Sequence, residues 1–187
     1  MGNQIVTLTT DRLILRHWKS EDLHAFAKMN ADPIVMAFFP DVLKQQESDA
    51  LAQRLVSLIE EHGWGVWALE KKDDGRFIGF TGLHIPKDDL PFNPCVEIAW
   101  RLAKDAWGNG FATEAAKVAM AFGFNQLALN EIVSFTATTN QRSMAVMERI
   151  GMQNTQQNFN HPAVSPDSPL YEHVLYKVTR QQWEARQ

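Results

Sequence analysis

Residues Glu97 to Ala116 constrain this chain more than any other stretch. A run with strand character, Glu97-Ile98-Ala99-Trp100-Arg101-Leu102, gives way to Gly108 and Gly110 and then to an alanine-rich helical pattern. Glycine at such a reversal lets the backbone take positive φ and lets a ligand approach bare N–H groups. The following helix opens with unpaired N–H donors at the positive end of its dipole, a site suited to phosphate oxygens. Two nucleotide motifs do not fit. No Gly-x-x-x-x-Gly-Lys-Ser/Thr run occurs, and Thr113 stands where a Gly-x-Gly-x-x-Gly fingerprint needs its third glycine.

The surrounding pattern is that of one mixed α/β domain over residues 1–187. A first strand is expected within residues 5–18, then a helix capped by Ser20 and running to Asn30. A second helix over 46–62 carries Leu51, Leu55, Leu58 and Ile59 in one stripe, with Gly63 to end it. Residues 64–70 and 77–85 read as a hairpin around Asp73-Asp74-Gly75, and a Pro/Asp-rich loop over 86–94 leads to the Glu97 strand. After the glycine turn, Ala112, Ala116, Ala119, Phe122 and Gly123 give the long helix a small-residue face. A strand over 131–139, an Asn140-capped helix to Ile150, a strand near 152–159 and a strand at 173–178 complete the pattern.

Composition narrows the class. The 187 residues suffice for a full core, and a net charge of −4 gives a nucleic-acid partner no support. Cys95 is the only cysteine, which excludes an internal disulfide and fits a reducing cytoplasm. No apolar run reaches membrane-spanning length. Met1-Gly2 invites a myristoylation reading, but Val6 stands where that signal needs Ser or Thr. A cytoplasmic protein, monomer or homodimer, is expected.

Trp107-Gly108-Asn109-Gly110-Phe111-Ala112-Thr113-Glu114-Ala115 resembles the pyrophosphate loop of the GNAT acetyltransferase superfamily, in its RimJ/RimL-like branch. Thr10-Asp11-Arg12-Leu13-Ile14-Leu15-Arg16 resembles that branch's opening strand, and Ile78-Gly79-Phe80-Thr81-Gly82-Leu83 its Ile-Gly-x-x-Gly-Leu strand. Asn140-Gln141-Arg142-Ser143 and Glu148-Arg149-Ile150-Gly151-Met152 resemble Asn-x-x-Ser and Glu-Lys-x-Gly-Phe. The resemblance implies a mostly antiparallel sheet of about six to seven strands flanked by helices, with a splayed parallel pair holding the cofactor. It implies acetyl-CoA as co-substrate, no metal, and direct transfer to a primary amine on a small molecule or a protein N-terminus. A degenerate domain that binds acyl-CoA as a sensor or scaffold is the alternative.

By the same resemblance, Trp100 and Leu102 flank the pantetheine arm. The backbone of Trp107, Gly108, Asn109, Gly110, Phe111, Ala112 and Thr113 holds the pyrophosphate, with Lys104 at the periphery, and Asn140 and Ser143 line the coenzyme. Many members carry Gln or Arg where this chain has Asp105, so Asp105 is expected to face solvent. An acceptor amine with a pKa of about 10.4 must lose its proton before it attacks. Glu97 stands at the catalytic glutamate position of several GNAT enzymes; otherwise it is a strand glutamate paired with Arg101. His84, on the neighbouring strand, shares the proton or is simply packed. Met147 occupies the usual position of the acid tyrosine, which leaves Ser143 as candidate acid or as a neutral residue in its helix.

Tyr171 and Tyr176 do not fall at that acid position. Phe159-Asn160-His161-Pro162 and His173-Val174-Leu175-Tyr176 resemble the ending of a subset of bacterial GNAT proteins, and His161 on its loop suits acceptor recognition. The tryptophans read as core, with Trp64 and Phe38-Phe39 expected at the border of the acceptor cleft.

Overall fold

The computed structural model describes residues 4–187, so the Met1-Gly2 reading lies outside the described residues. The strand expected over 5–18 is two: β1 (Leu8–Thr9) and β2 (Leu13–Arg16), paired antiparallel. Between them Thr10 Oγ1 accepts the Leu13 N–H at 2.9 Å, and this local bond competes with a continuous strand. Helix α1 (Asp22–Asn30) is not capped by Ser20. Asp22 takes over that end: one carboxylate oxygen accepts the Lys19 N–H at 2.8 Å, and both meet the Arg16 guanidinium at 2.8 and 2.9 Å. Helix α2 (Gln45–His62) ends as expected at Gly63, whose φ of 77° lets its N–H reach Ile59 O at 2.8 Å.

Strands β3 (Val66–Lys71) and β4 (Phe77–His84) form the expected hairpin, and β5 (Glu97–Leu102) follows the long loop. A short 3-10 turn over Lys104–Ala106 precedes α3 (Phe111–Asn125). Then come β6 (Glu131–Ala137), α4 (Gln141–Arg149), β7 (Gln153–Asn154), β8 (Phe159–Asn160), β9 (Glu172–Thr179) and α5 (Arg180–Glu184). The sequence reading contains no α5, although Thr179 and Gln182 form a reciprocal capping box for it. Trp183 on α5 stacks against Phe124 at 5.1 Å.

The sheet has nine strands in the order β1-β2-β3-β4-β5-β6-β9-β7, with β8 also on β9. The excess over the expected count lies in the two-residue strands β1, β7 and β8, too short to show any alternation. All pairings are antiparallel except β5 with β6. That pair meets only at Glu97↔Val133, whereas β5 pairs with β4 along its whole length. Val133 N donates to Val96 O at 3.0 Å and Ser134 Oγ to Ile98 O at 2.9 Å. Beyond that point the strands part. Peptide groups alternate along a strand, so Trp100 and Leu102 direct theirs into the opening.

Alternation also sorts the side chains. Ile98 and Leu102 join the core beneath α3, where Ala115, Ala116 and Ala119 are fully buried. Glu97, Ala99 and Arg101 take the other face, opposite His84, Gly82 and Phe80 of β4. On that face α1 and α2 close a second core built on Trp18, Phe26, Met29 and Phe80.

The Arg16 cluster fastens α1 to this sheet. Arg16 also meets Glu70 at 2.5 Å, and this contact holds the Glu70 carboxyl below its ordinary range. Asp22→Ala removes two charge-assisted bonds and a backbone acceptor from a nearly dry site. The expected cost is about 2–3 kcal/mol, with Tm lower by about 4–12 °C in thermal unfolding. A change within about 1 °C would show the cluster to be energetically idle.

Candidate active site

The glycine turn is built by its own polar groups. Trp107 Nε1 donates to Leu102 O at 2.9 Å, which pins the turn to the end of β5. Asn109 Nδ2 donates to Ala106 O at 3.2 Å and Trp107 O at 3.0 Å. Gly108 and Gly110 have φ of 77° and 78°. A Cβ on Gly108 would meet nothing within 4 Å, and one on Gly110 would meet only Arg12 Nη2 at 3.6 Å. Packing therefore does not require either glycine; the backbone conformation and the open approach do. The first helical bond of α3 runs from Glu114 N to Gly110 O at 3.0 Å, which leaves the N–H groups of Phe111, Ala112 and Thr113 at the open end.

Glu114 holds this helix end to the opening strands. It accepts Thr10 Oγ1 at 2.5 Å and the Arg12 N–H at 3.0 Å, and pairs with the Arg12 guanidinium at 2.6 Å. Arg12 also lies 4.5 Å over the Phe111 ring. Asp105 is exposed as expected, paired with Arg76. Lys104 is exposed and does not line the cleft, whereas Arg142 stacks 4.3 Å over Trp107 and does line it. Arg142 lies inside the Asn-Gln-Arg-Ser motif, far along the chain from the glycine turn, and no local spacing reports its meeting with Trp107.

A cleft of about 1610 Å³ runs from this turn through the opening between β5 and β6. That is larger than the roughly 300–1,000 Å³ of most small-molecule sites and leaves room for a long ligand and a second substrate. It is lined by Trp100, Leu102, Trp107, Gly108, Gly110, Phe111, Ala112, Thr113, Asn140 and Ser143 among the expected coenzyme residues. Asn109 does not line the cleft, and its side chain closes the turn.

At the other side of the opening, Asn140 caps α4: its Oδ1 accepts Ser143 N at 3.3 Å. Its Nδ2 donates to Thr136 Oγ1 at 2.9 Å and to Ser143 Oγ at 3.2 Å. The Ser143 oxygen thus accepts, which frees its own proton for a partner in the cleft. Met147 is buried on the same helix and carries no proton to give. Tyr176 donates to Glu148 at 3.1 Å, and neither it nor Tyr171 lines the cleft.

Glu97 and His84 stand side by side across β4 and β5, His84 Nε2 to Glu97 Oε2 at 2.9 Å. The alternative pairing of Glu97 with Arg101 does not form. A strand rise of roughly 3.3 Å sets four residues about 13 Å apart, beyond ion-pair reach for side chains standing upright from the sheet. Arg101 turns instead to Asn30, with Nη1 to Oδ1 at 2.8 Å. Phe38, Phe39 and His161 border this end of the cleft as expected, but Trp64 does not; it stacks on His62 at 5.7 Å. His161 and His173 lie 4.8 Å apart beside Phe135 and Phe159, and His161 Nε2 is 4.0 Å from Asp88. Burial, with a smaller contribution from His161, pushes His173 down to about 4.

Parted parallel strands with a glycine cradle at their mouth place the chain among the α/β acyltransferases. The match is specific: residues 12–153 fit the acetyltransferase (GNAT) domain model, and the chain belongs to that family. It is 28% identical over 184 residues to the FsC-acetyl coenzyme A-N(2)-transacetylase of Aspergillus fumigatus, covering 95% of this chain and 77% of the relative. A GNAT-family acetyltransferase from Bacillus anthracis shares the fold with a TM-score of 0.78 at 19% identity, covering 94% and 99% of the two chains. So does spermidine N-acetyltransferase from Vibrio cholerae, solved with CoA and spermine, at a TM-score of 0.73 and 18% identity over 94% and 99%.

Gly108→Ala introduces a left-handed alanine where nothing crowds it. We expect a stability loss of about 1 kcal/mol, or about 2–4 °C in Tm, but a KM for acetyl-CoA raised at least about 10-fold. An unchanged KM would remove the turn from coenzyme binding. His173 makes a separate prediction. Its folded pKa lies below the ordinary 6.5, so the unfolded chain binds the extra proton and stability falls as pH drops from about 6.5 towards 4. Thermal unfolding of His173→Gln should lose less Tm than wild type across that window; parallel curves would contradict the assignment.

Proposed function

We propose that this protein is an acetyl-CoA-dependent N-acetyltransferase of the RimJ/RimL-like kind, acting on a primary amine by direct transfer. The observation that carries this reading is the Glu97–His84 pair on the floor of the same opening that the glycine cradle leads into. The cradle fits a pyrophosphate: open N–H donors at a helix end, two glycines without side chains, and the Arg142 cation beside them. Bound acetyl-CoA supplies an activated thioester carbonyl and a thiol leaving group.

The chain's own groups divide the remaining work. The Trp100 N–H, turned into the opening, donates to the carbonyl oxygen as charge gathers there. Glu97 takes the amine proton, directly or through a water, and His84 stabilises the carboxylate and passes the proton on. Ser143 Oγ gives a proton to the departing sulfur. Cys95 takes no covalent part in this scheme: burial, with smaller contributions from Glu97 and Glu131, pushes its thiol up to about 11, and it lies outside the cleft lining.

Ile34, Val35, Phe38 and Phe39 from one loop and His161, Ala163 and Val164 from another line the acceptor end. Two bordering loops favour a small-molecule amine over a protein N-terminus. Among the described residues no helix is long and apolar enough to cross a membrane.

Glu97→Gln keeps the shape and removes the base. With any accepted amine we expect kcat to fall about 10²- to 10³-fold while the acetyl-CoA dissociation constant by calorimetry stays within about two-fold; His84→Gln should cost about 10-fold. Full activity in Glu97→Gln would remove the residue from the chemistry. Acyl-CoA binding without turnover of any amine by wild type would favour a sensor or scaffold.

A further inference from the structure

The cleft floor holds a buried cation without a counter-charge. Arg101 lies on the Glu97 face of β5, four residues along, with only Ala99 and the opposing Gly82 between them on that face. Its guanidinium carbon sits 4.2 Å over the Phe39 ring and 5.3 Å from that of Phe80, and its hydrogen-bond partner, Asn30, is neutral. Arg12, Arg16, Arg76 and Arg180 each meet a carboxylate, and Arg54, Arg142 and Arg149, which meet none among the described residues, are exposed to solvent. Among the described residues Arg101 meets none, and its Nε is buried without any acceptor. Burial lowers its pKa to about 10, which still leaves it charged at neutral pH. A desolvated guanidinium with an unused edge and two aromatic neighbours is matched to a planar anion.

Coenzyme phosphates do not answer that need. Their cradle lies at the α3 end, whereas Arg101 projects from the opposite face of β5, towards α1 and the Phe39 loop. Phe39, 40% exposed, covers the guanidinium from the solvent side. We infer that Arg101 is a carboxylate subsite and that the acceptor is an amine carrying a carboxylate a few bonds away, an amino acid or a close derivative. The amine then lies above Ala99, within reach of Glu97, and the carboxylate extends along β5 to Arg101. This inference rests on the transferase reading above, and it adds the substrate class.

A purely structural role competes with it. Arg101 holds Asn30, whose Nδ2 donates to Ser48 Oγ at 2.9 Å, so it also braces α1 against α2. The test therefore uses matched acceptors, free amino acids against their α-amides, with wild type, Arg101→Met and Arg101→Lys. The expected wild-type preference for the acids is about 10- to 100-fold in kcat/KM. Arg101→Met should abolish that preference by weakening the acids alone, and Arg101→Lys should keep part of it.

Calorimetry of N-acetylated amino acids and N-acetylated amides on the CoA-bound protein reads the same subsite without turnover. Equal wild-type binding of the two, or equal loss of both in Arg101→Met, overturns the inference and leaves Arg101 as a brace. Failure of the transferase reading looks different: no amine is turned over, while the N-acetyl acids still out-bind the amides through Arg101.

Discussion

The divergence of β5 from β6 after a single residue pair is the constraint on which the rest of this molecule depends. A parallel pair that stayed in register would satisfy its own backbone and leave no cleft. Here Val133 and Ser134 secure the strands at Val96 and Ile98, and the chain then gives up pairing on one side of β5. The unbroken β4–β5 ladder is what makes this tolerable, because it fixes β5 from its other side. Trp107 and the glycine turn continue the same line, so the opening leads directly from strand backbone to helix N-terminus.

Electrostatics divides the cleft by face and by end. The α3 end is lined by backbone donors and Arg142, with Glu114 neutralised by Arg12 and Asp105 drawn away by Arg76. The opposite face of β5 holds the Glu97–His84 pair and the unpaired Arg101. The imidazoles of His161 and His173 and their phenylalanine neighbours close that end, and burial pushes the His173 pKa down. A base for a cationic amine and a cation for an anionic group then stand on one strand, separated by small residues.

The sequence disclosed most where a local signal carried the geometry. Gly108, Gly110, Gly63 and Asn140 each announce a backbone event, and the structure puts each event at that residue. The β3–β4 hairpin was legible from its Asp73-Asp74-Gly75 turn and β2 from the alternation of Leu13 and Leu15, whereas β1, β7 and β8 were too short to show any pattern. Ser20 misled because its neighbour Asp22, bound to Arg16 across the turn, offered a stronger acceptor than any hydroxyl. Arg101 was the larger omission. Its environment depends on Asn30 and Phe39, more than sixty residues away, and no local spacing reports such a meeting. The Asn109 side chain, which no spacing assigned, closes the turn from within.

Coenzyme binding is the step every other statement about this site assumes, and equilibrium stability measures it without any knowledge of the acceptor. Thermal unfolding with acetyl-CoA, CoA and ATP compared at matched concentration is the direct test. At 100 times its dissociation constant a ligand adds about 2.7 kcal/mol, a rise of about 5–11 °C for a chain of this size. The account predicts that rise with acetyl-CoA and CoA and none with ATP. No shift with either thioester or thiol, in a sample that unfolds cooperatively, would contradict it.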